Sequence, residues 1–113
     1  MQELKIQQKT EDMIKYAYIV LKHFPKSERF TLAADIKKSM CKLLELIIRC
    51  NAEKDKYRYF REIDVELIMF KSFVRLSMEL GFMPIKKYEI LSGYVSEIGK
   101  MLGGWMKNFK KQG

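Results

Sequence analysis

Strong turn signals occur at only two points along the chain. The first is FPKS at residues 24–27, where proline disfavours a continuing helix and serine is a good N-cap. The second is LGFMP at residues 80–84, where glycine suits a helix end and proline suits the first turn of the next helix. With only six glycines and two prolines in 113 residues, the chain is predicted to form a few long helices rather than a β-sandwich.

A weaker boundary lies in the polar segment NAEKDK, which follows Cys50. Without a turn there, one helix would run from Ser27 to Leu80 and be about 80 Å long, which is implausible for one small domain. We therefore place a tight turn near residues 52–56. The chain, residues 1–113, is then predicted to be a single domain with helices at about 5–24, 27–51, 56–80 and 84–109.

Each predicted helix carries an apolar stripe at spacings of three and four, which is typical of a helix packed against others. Because the connections are short, consecutive helices are expected to be antiparallel neighbours. The predicted fold class is therefore all-α, an antiparallel up-down-up-down four-helix bundle. The most regular stripe is that of the last helix, formed by Tyr88, Leu91, Val95, Ile98, Leu102, Trp105 and Phe109.

The third helix carries two apolar stripes, although a bundle helix needs only one. A helix that is apolar over most of its circumference is buried on two sides. We therefore predict a homo-oligomer with this helix in the interface, the alternative being a deep position inside the monomer. The core stripe is Ile63, Leu67, Phe70 and Val74, and the second stripe, rotated by roughly 120°, is Val65, Met69, Phe73, Leu76 and Leu80.

Small residues form a further stripe on the last helix, namely Ser92, Ser96, Gly99 and Gly103. Glycine inside a helix costs about 1 kcal/mol relative to alanine, so two on one face indicate that another backbone lies close. That backbone belongs either to a helix of the same chain or to another subunit. Gly99 and Gly103 are included among the predicted interface residues on the second interpretation.

Residues able to support catalysis or bind a metal are sparse. His23 is the only histidine, and Cys41 and Cys50 lie nine residues apart, on opposite faces of one helix. This set lacks the clustered ligands of a zinc site, and no phosphate-binding P-loop is present. We therefore expect no enzyme activity, no metal and no cofactor.

The cellular location is expected to be cytoplasmic. The N-terminal segment lacks the apolar core of a signal peptide, and the longest apolar run is too short to cross a bilayer. Free thiols are typical of a reducing compartment. We expect no membrane partner.

Basic residues outnumber acidic ones by 22 to 14, a formal net charge of +8 at pH 7. Such an excess points to a polyanionic partner or a charged assembly surface. Arg61, Lys71 and Arg75 fall within about 80° of each other on the third helix, between its two apolar stripes. Candidates for contact with an RNA or DNA backbone, each of which could also be an ordinary solvated residue, are Lys37, Lys38, Lys42, Arg49, Lys54, Lys56, Arg58, Lys107, Lys110 and Lys111.

Aromatic residues alternate with basic ones at the start of the third helix, where Tyr57, Tyr59 and Phe60 lie among basic neighbours. Aromatic side chains in a basic groove can stack on exposed bases. At a helix start they can equally anchor the helix to the core, and both interpretations stay open.

Several short motifs together resemble one family. They are FPKSxRF at 24–30, DK at 55–56, RE at 61–62, KxxxRL at 71–76 and EIGKMLGGW at 97–105. The chain resembles, over about residues 5–110, the Avd-like four-helix-bundle proteins, which are the accessory variability proteins of diversity-generating retroelements. These are related to small proteins encoded in 23S ribosomal RNA intervening sequences, and the C-terminal motif favours the retroelement branch.

The resemblance implies more than the composition does. It implies a homopentameric barrel with a basic surface, which binds a reverse transcriptase and supports mutagenic retrohoming through its template RNA or cDNA. It also implies that Lys71 and Arg75, with Arg61 on the same strip, contact the reverse transcriptase. Lysine replaces the family's arginine at position 71, which keeps the charge but loses bidentate geometry.

Two other functions remain open beside the one that the resemblance favours. One is a bundle of the intervening-sequence type, which binds structured RNA without a polymerase partner. The other is a structural oligomer whose charge serves solubility. Binding of nucleic acid that weakens steeply with salt would argue against the second.

Overall fold

The computed structural model describes the backbone of residues 2–112 and the side chains of residues 4–110. That part of the chain forms four α-helices packed together and contains no strand, which confirms the all-α prediction. A short 3₁₀ helix, Lys26–Glu28, lies in the first connection. The four helices are α1 (Gln2–Leu21), α2 (Leu32–Ala52), α3 (Tyr57–Glu79) and α4 (Ile85–Gln112).

One hydrophobic core is shared by all four helices. The core stripe predicted for α3 is buried throughout, and the stripe predicted for α4 is buried from Leu91 to Trp105. Its two outer members, Tyr88 and Phe109, are half-buried and pack against the core. The heptad spacing of the sequence therefore identifies the inward faces correctly.

Each helix contacts two neighbours, so that α1 and α3 both pack against α2 and α4. Between α1 and α4, the Lys9 ammonium lies 2.9 Å from the Glu97 carboxylate. Further along the same pair, the rings of Tyr16 and Tyr94 have centroids 6.1 Å apart. The described chain measures 48 × 24 × 19 Å along its principal axes.

The end of α3 forms the capping motif that its sequence predicts. Gly81 adopts φ +83°, a left-handed conformation that glycine tolerates and other residues rarely adopt. The amide of Phe82 donates to the carbonyl of Ser77 at 2.9 Å, and the amide of Gly81 donates to that of Met78 at 3.0 Å. These two bonds define a Schellman motif, and the Phe82 ring packs against Phe24 with centroids 5.9 Å apart.

The start of α2 differs from the prediction. We expected a helix from residue 27 with Ser27 as its N-cap, whereas α2 begins at Leu32. The amide of Glu28 donates to the Pro25 carbonyl at 2.9 Å, which builds a 3₁₀ turn. The Thr31 hydroxyl then donates to the Glu28 carboxylate at 2.7 Å, and such local side-chain bonds compete with helix formation. The other predicted boundaries fall within three residues of those observed.

The two cysteines lie on opposite sides of α2, as predicted, with Cys41 exposed and Cys50 buried. Burial raises the pKa of the Cys50 thiol to about 11, so this thiol stays protonated and unreactive at neutral pH. None of the described helices combines the length and hydropathy needed to span a lipid bilayer.

Candidate functional site

The basic strip of α3 is a continuous exposed surface. Arg61, Lys71 and Arg75 are all exposed, and none takes part in a salt bridge among the described side chains. Ile68, 58% exposed, lies seven residues from both arginines, which places it between them on nearly the same face. The strip runs about 21 Å along the helix, at 1.5 Å per residue.

Sequence reasoning missed Ile68. It belongs to neither apolar stripe of α3, and that isolation between two arginines is the signal that could have identified it. Asp64 lies on the same face, four residues before Ile68, and partly neutralises the strip. An exposed apolar side chain on a face that also carries arginines is a common feature of protein interfaces, where arginine is enriched.

The second apolar stripe of α3 is exposed rather than deep inside the monomer. Val65, Met69 and Leu76 are 50%, 43% and 45% exposed, and Leu80 is 55% exposed. Phe73 is half-buried and packs against the core. The alternative of burial within the monomer is therefore wrong for all of these residues except Phe73.

A groove of about 600 Å³ runs between this stripe and α2, and Met69 and Phe73 form part of its lining. The Ser39 hydroxyl donates to the Glu66 carboxylate at 2.7 Å, which links the two helices at its floor. The α3 side of the groove is therefore apolar, whereas its α2 side is lined mainly by polar and charged side chains.

The two glycines of the predicted small-residue stripe, Gly99 and Gly103, have different surroundings. A Cβ added at Gly99 would lie 3.8 Å from the Leu67 side chain, so this glycine faces α3 of its own chain. A Cβ added at Gly103 would meet nothing within 4 Å. Gly103 opens onto a groove of about 460 Å³ between α3 and α4, which Arg61 and Lys110 also line. The intramolecular interpretation of the small-residue stripe therefore fits Gly99, and Gly103 is free to contact another molecule.

The basic residues predicted on α2 are already partly engaged with other side chains. Lys42 lies 3.0 Å and Arg49 lies 3.4 Å from the same Glu45 carboxylate. The hydrogen bond from Lys42, followed by its charge, lowers the pKa of Glu45. Lys37 is half-buried, with its ammonium 5.1 Å from the centroid of the Tyr18 ring. Lys38 is exposed and has no salt bridge among the residues described.

Lys56 has a structural role. Its ammonium donates to the carbonyls of Cys50 at 2.7 Å, Asn51 at 3.3 Å and Glu53 at 2.6 Å. These are carbonyls at the end of α2, where a cation is favoured by the helix dipole. All three N–H donors of the ammonium are used, so Lys56 is not available to bind a phosphate in this conformation.

Replacing Lys56 by methionine is expected to lower the free energy of unfolding by about 1–3 kcal/mol, since hydrogen bonds from a charged donor to the carbonyls are lost. The matched control is Lys54→Met, which changes an exposed side chain two residues away. Its free energy of unfolding is expected to change by no more than about 0.5 kcal/mol. Urea denaturation followed by circular dichroism measures both. Equal stability of the two variants would contradict the capping role.

The remaining predicted basic residues lie just after α2, at the start of α3 and in the last turns of α4. Lys54, Lys107 and Lys110 are exposed. Arg58 lies 3.9 Å from the Glu62 carboxylate and stacks over the Tyr59 ring at 5.0 Å. The side chain of Lys111 lies outside the residues described.

The aromatic residues at the start of α3 are anchors rather than a stacking surface. Tyr59 and Phe60 are 8% and 1% exposed. The Phe60 ring meets Trp105 and Phe109 of α4, with centroids 5.3 and 5.8 Å apart. Tyr57 is more exposed but rests edge-on against Phe109, at 5.1 Å. These rings tie the start of α3 to the last turns of α4.

Within residues 4–110, no group of three or more His, Cys, Asp or Glu side chains is placed to hold a metal ion. His23 is exposed, two residues after the end of α1. The exposed side chains of the α3 surface are mainly cations and apolar groups.

Comparison with known proteins identifies the family of the chain. No curated protein matches the chain. A family model described as bAvd-like matches residues 4–109, which include all four helices except their outermost residues. The chain therefore belongs to the bAvd-like family.

Proposed function

We propose that this chain is a non-catalytic, cytoplasmic accessory protein of a diversity-generating retroelement, which binds the element's reverse transcriptase together with its template RNA or cDNA. Membership of the bAvd-like family supports an accessory role. The single observation that supports partner binding best is the exposed basic strip of α3, whose three cations make no salt bridge among the described residues.

The basic strip is the proposed contact for the reverse transcriptase. Arg61 and Arg75 flank Ile68, so an acidic surface on the polymerase could pair with the arginines around an apolar centre. Desolvation of the centre strengthens the surrounding charge pairs, because their attraction is larger where water is excluded. Lys71 adds a single-point contact rather than a bidentate one.

Nucleic acid is the second proposed partner. Lys38, Lys54, Lys107 and Lys110 are exposed cations without a salt bridge among the described side chains. At the surface, Lys42 and Arg49 both pair with the Glu45 carboxylate, and Arg58 pairs with Glu62. Such exposed pairs contribute only about 0.2–1 kcal/mol. A phosphate could therefore replace these carboxylates at little cost. Affinity for nucleic acid should fall steeply with salt.

Self-assembly is the third part of the proposal. Val65, Met69 and Leu76 form an exposed apolar surface on α3 that a second copy of the chain would cover. The proposed assembly is a homopentamer of antiparallel bundles, with the copy number taken from the family resemblance. Within the bundle, the antiparallel course is supported by partners that run in opposite order, from Lys9 with Glu97 to Phe24 with Phe82.

Gly103 offers a test of the interface. Gly103→Ala is expected to stabilise the monomer by about 0.4–1 kcal/mol, since alanine restricts the unfolded chain and finds open space. The same gain is expected for Gly93→Ala, another α4 glycine with nothing within 4 Å of an added Cβ.

Only Gly103→Ala is expected to weaken the assembly, because its methyl would occupy the subunit contact. Light scattering across a dilution series measures the oligomer, and thermal unfolding measures the stability gain. An unchanged dissociation midpoint for Gly103→Ala would place this glycine outside the interface.

The proposed function is tested by purifying the tagged protein from its native cell. Mass spectrometry and RNA sequencing then identify what accompanies it. A reverse transcriptase with its template RNA is the expected result. Ribosomal RNA without a polymerase would instead favour the intervening-sequence type of function, and neither partner would leave a structural oligomer.

A further inference from the structure

The connection between α1 and α2 forms a pocket of about 380 Å³ whose charged lining is entirely basic. Lys22 comes from the residues after α1, Lys26 and Arg29 come from the connection itself, and Lys37 comes from α2. Tyr18 lies on the same wall, with the Lys37 ammonium 5.1 Å from the centroid of its ring. Four cations around one pocket create a strongly positive local potential.

No carboxylate of the described chain neutralises this pocket. None of its four cations takes part in a salt bridge within residues 4–110. Glu28 lies in the same connection, but its carboxylate accepts the Thr31 hydroxyl at 2.7 Å and does not line the pocket. The pocket also includes Ala33, in the first turn of α2, where free amide groups favour an anion.

Phe30 directly follows Arg29 of the pocket lining, although Phe30 itself does not line the pocket. At 86%, it is far more exposed than any other exposed large hydrophobic residue described, the next being Ile85 at 60%. One exposed hydrophobic residue needs no explanation by itself. An exposed phenylalanine that follows a pocket cation in sequence has the composition of a single-strand binding surface, where a base stacks on the ring and cations follow the phosphates.

We propose that this pocket and Phe30 form a binding site for single-stranded nucleic acid. The proposal rests on the nucleic-acid binding proposed above, and it adds the site and the single-stranded form of the ligand. Lys22, Lys26, Arg29 and Lys37 bind consecutive phosphates, and Phe30 stacks on an unpaired base. A duplex satisfies only the cations, because its bases are already stacked on each other and do not reach the ring.

The site lies outside the basic strip of α3. The Phe24 ring at its edge packs on Phe82, so the pocket lies near the connection between α3 and α4. The start of α3, near Arg61, packs instead on the last turns of α4, whereas Arg75 lies near the other end of α3. None of the strip's cations lines the pocket, so the two proposed sites are built from different residues.

The test is fluorescence anisotropy with three labelled ligands, namely an oligothymidylate, an oligouridylate and a duplex of the same length. The length is about 15 nucleotides, which is within the usual range of single-strand sites. Salt is varied between about 50 and 200 mM. Phe30→Ala is expected to weaken binding of both single strands about tenfold or more, as lost stacking does, and to change duplex binding less than about twofold.

Phe30→Trp is expected to restore single-strand binding, because the π-face is kept. Lys26→Gln with Arg29→Gln is expected to reduce the slope of log affinity against log salt by about 1.4, because each of the two lost charges contributes about 0.7 on a single strand. The matched control is Lys5→Gln with Lys100→Gln, which removes the same charge from exposed side chains of α1 and α4 that belong to neither proposed binding surface. It should leave the effect of Phe30 intact.

Each contrary outcome is distinct. Wild-type binding that survives Phe30→Ala and Lys26→Gln with Arg29→Gln would overturn this site while leaving nucleic-acid binding in place. No binding of either oligonucleotide or the duplex at about 50 mM salt would overturn both. A change of oligomer mass caused by Phe30→Ala in light scattering would make Phe30 a subunit contact and overturn the proposal.

Discussion

Phe60→Ala is expected to lower the free energy of unfolding by about 3–5 kcal/mol, the usual cost of removing a buried phenylalanine. The Phe60 side chain is 1% exposed, and its ring makes edge-on contacts with Trp105 and Phe109. Aromatic pairs of this geometry contribute about 0.5–1.5 kcal/mol beyond their buried area. The truncation therefore loses both packing volume and the link between α3 and α4.

A loss of that size is a large part of the stability of a small domain, which is about 5–15 kcal/mol. The measurement is urea denaturation followed by circular dichroism. An unchanged slope of the free energy of unfolding against urea concentration is the check for two-state unfolding. Phe30→Ala is the matched control, since the same atoms are removed from a side chain that is 86% exposed, and its expected change is within about 0.5 kcal/mol. Similar losses in both variants would show that the aromatic group does not anchor the helices.

Lys71→Ala with Arg75→Ala is the second variant expected to have a large effect. Affinity for the purified reverse transcriptase should fall about tenfold or more, because truncated interface cations often cost over 1 kcal/mol each. Both side chains are exposed and have no salt bridge among the described residues. The free energy of unfolding should therefore change by less than about 1 kcal/mol.

Surface plasmon resonance against immobilised reverse transcriptase measures this affinity at fixed salt. The control is Lys107→Ala with Lys110→Ala, which keeps Lys71 and Arg75 and removes two charges elsewhere, near the end of α4. If both double variants lose affinity equally, the effect is one of net charge and not of the strip. Wild-type affinity in Lys71→Ala with Arg75→Ala would remove α3 from the contact.

The helices and their inward faces could be predicted from the sequence because they depend on periodic, local information. The apolar stripe of α4 repeats every three or four residues, and each of its members is buried or half-buried. The end of α3 could also be predicted from the sequence, since glycine, as at Gly81, is the residue type that accepts the positive φ required there.

The start of α2 and the role of Lys56 could not be read in the same way. Ser27 is a good N-cap by residue type, but the Thr31–Glu28 hydrogen bond holds the preceding segment out of the helix. Lys56 looks like any basic residue, and its donors are assigned only by the turn that brings it back to carbonyls three to six residues earlier, at the end of α2. Both features are local, but they depend on the exact turn geometry rather than on residue type.

The candidate site was only partly readable. Arg61, Lys71 and Arg75 share a face by helical geometry alone, and the structure places all three at the surface. The position of Ile68 between two arginines is visible in the sequence, but its exposure and that of Phe30 are not, because exposure follows from packing and not from residue type. Partner identity is a different matter, since no spacing of lysines specifies a polymerase.

The elongated outline of the molecule has a mechanical consequence. The described chain is 48 Å long and no more than 24 Å across. In the proposed antiparallel arrangement, the pocket that includes Lys26 and Arg29 lies near one tip, and Lys54 and Lys107 lie near the other. If nucleic acid binds at both ends as proposed above, two strands would be held apart by a distance equal to about 14 base pairs of duplex, at 3.4 Å each.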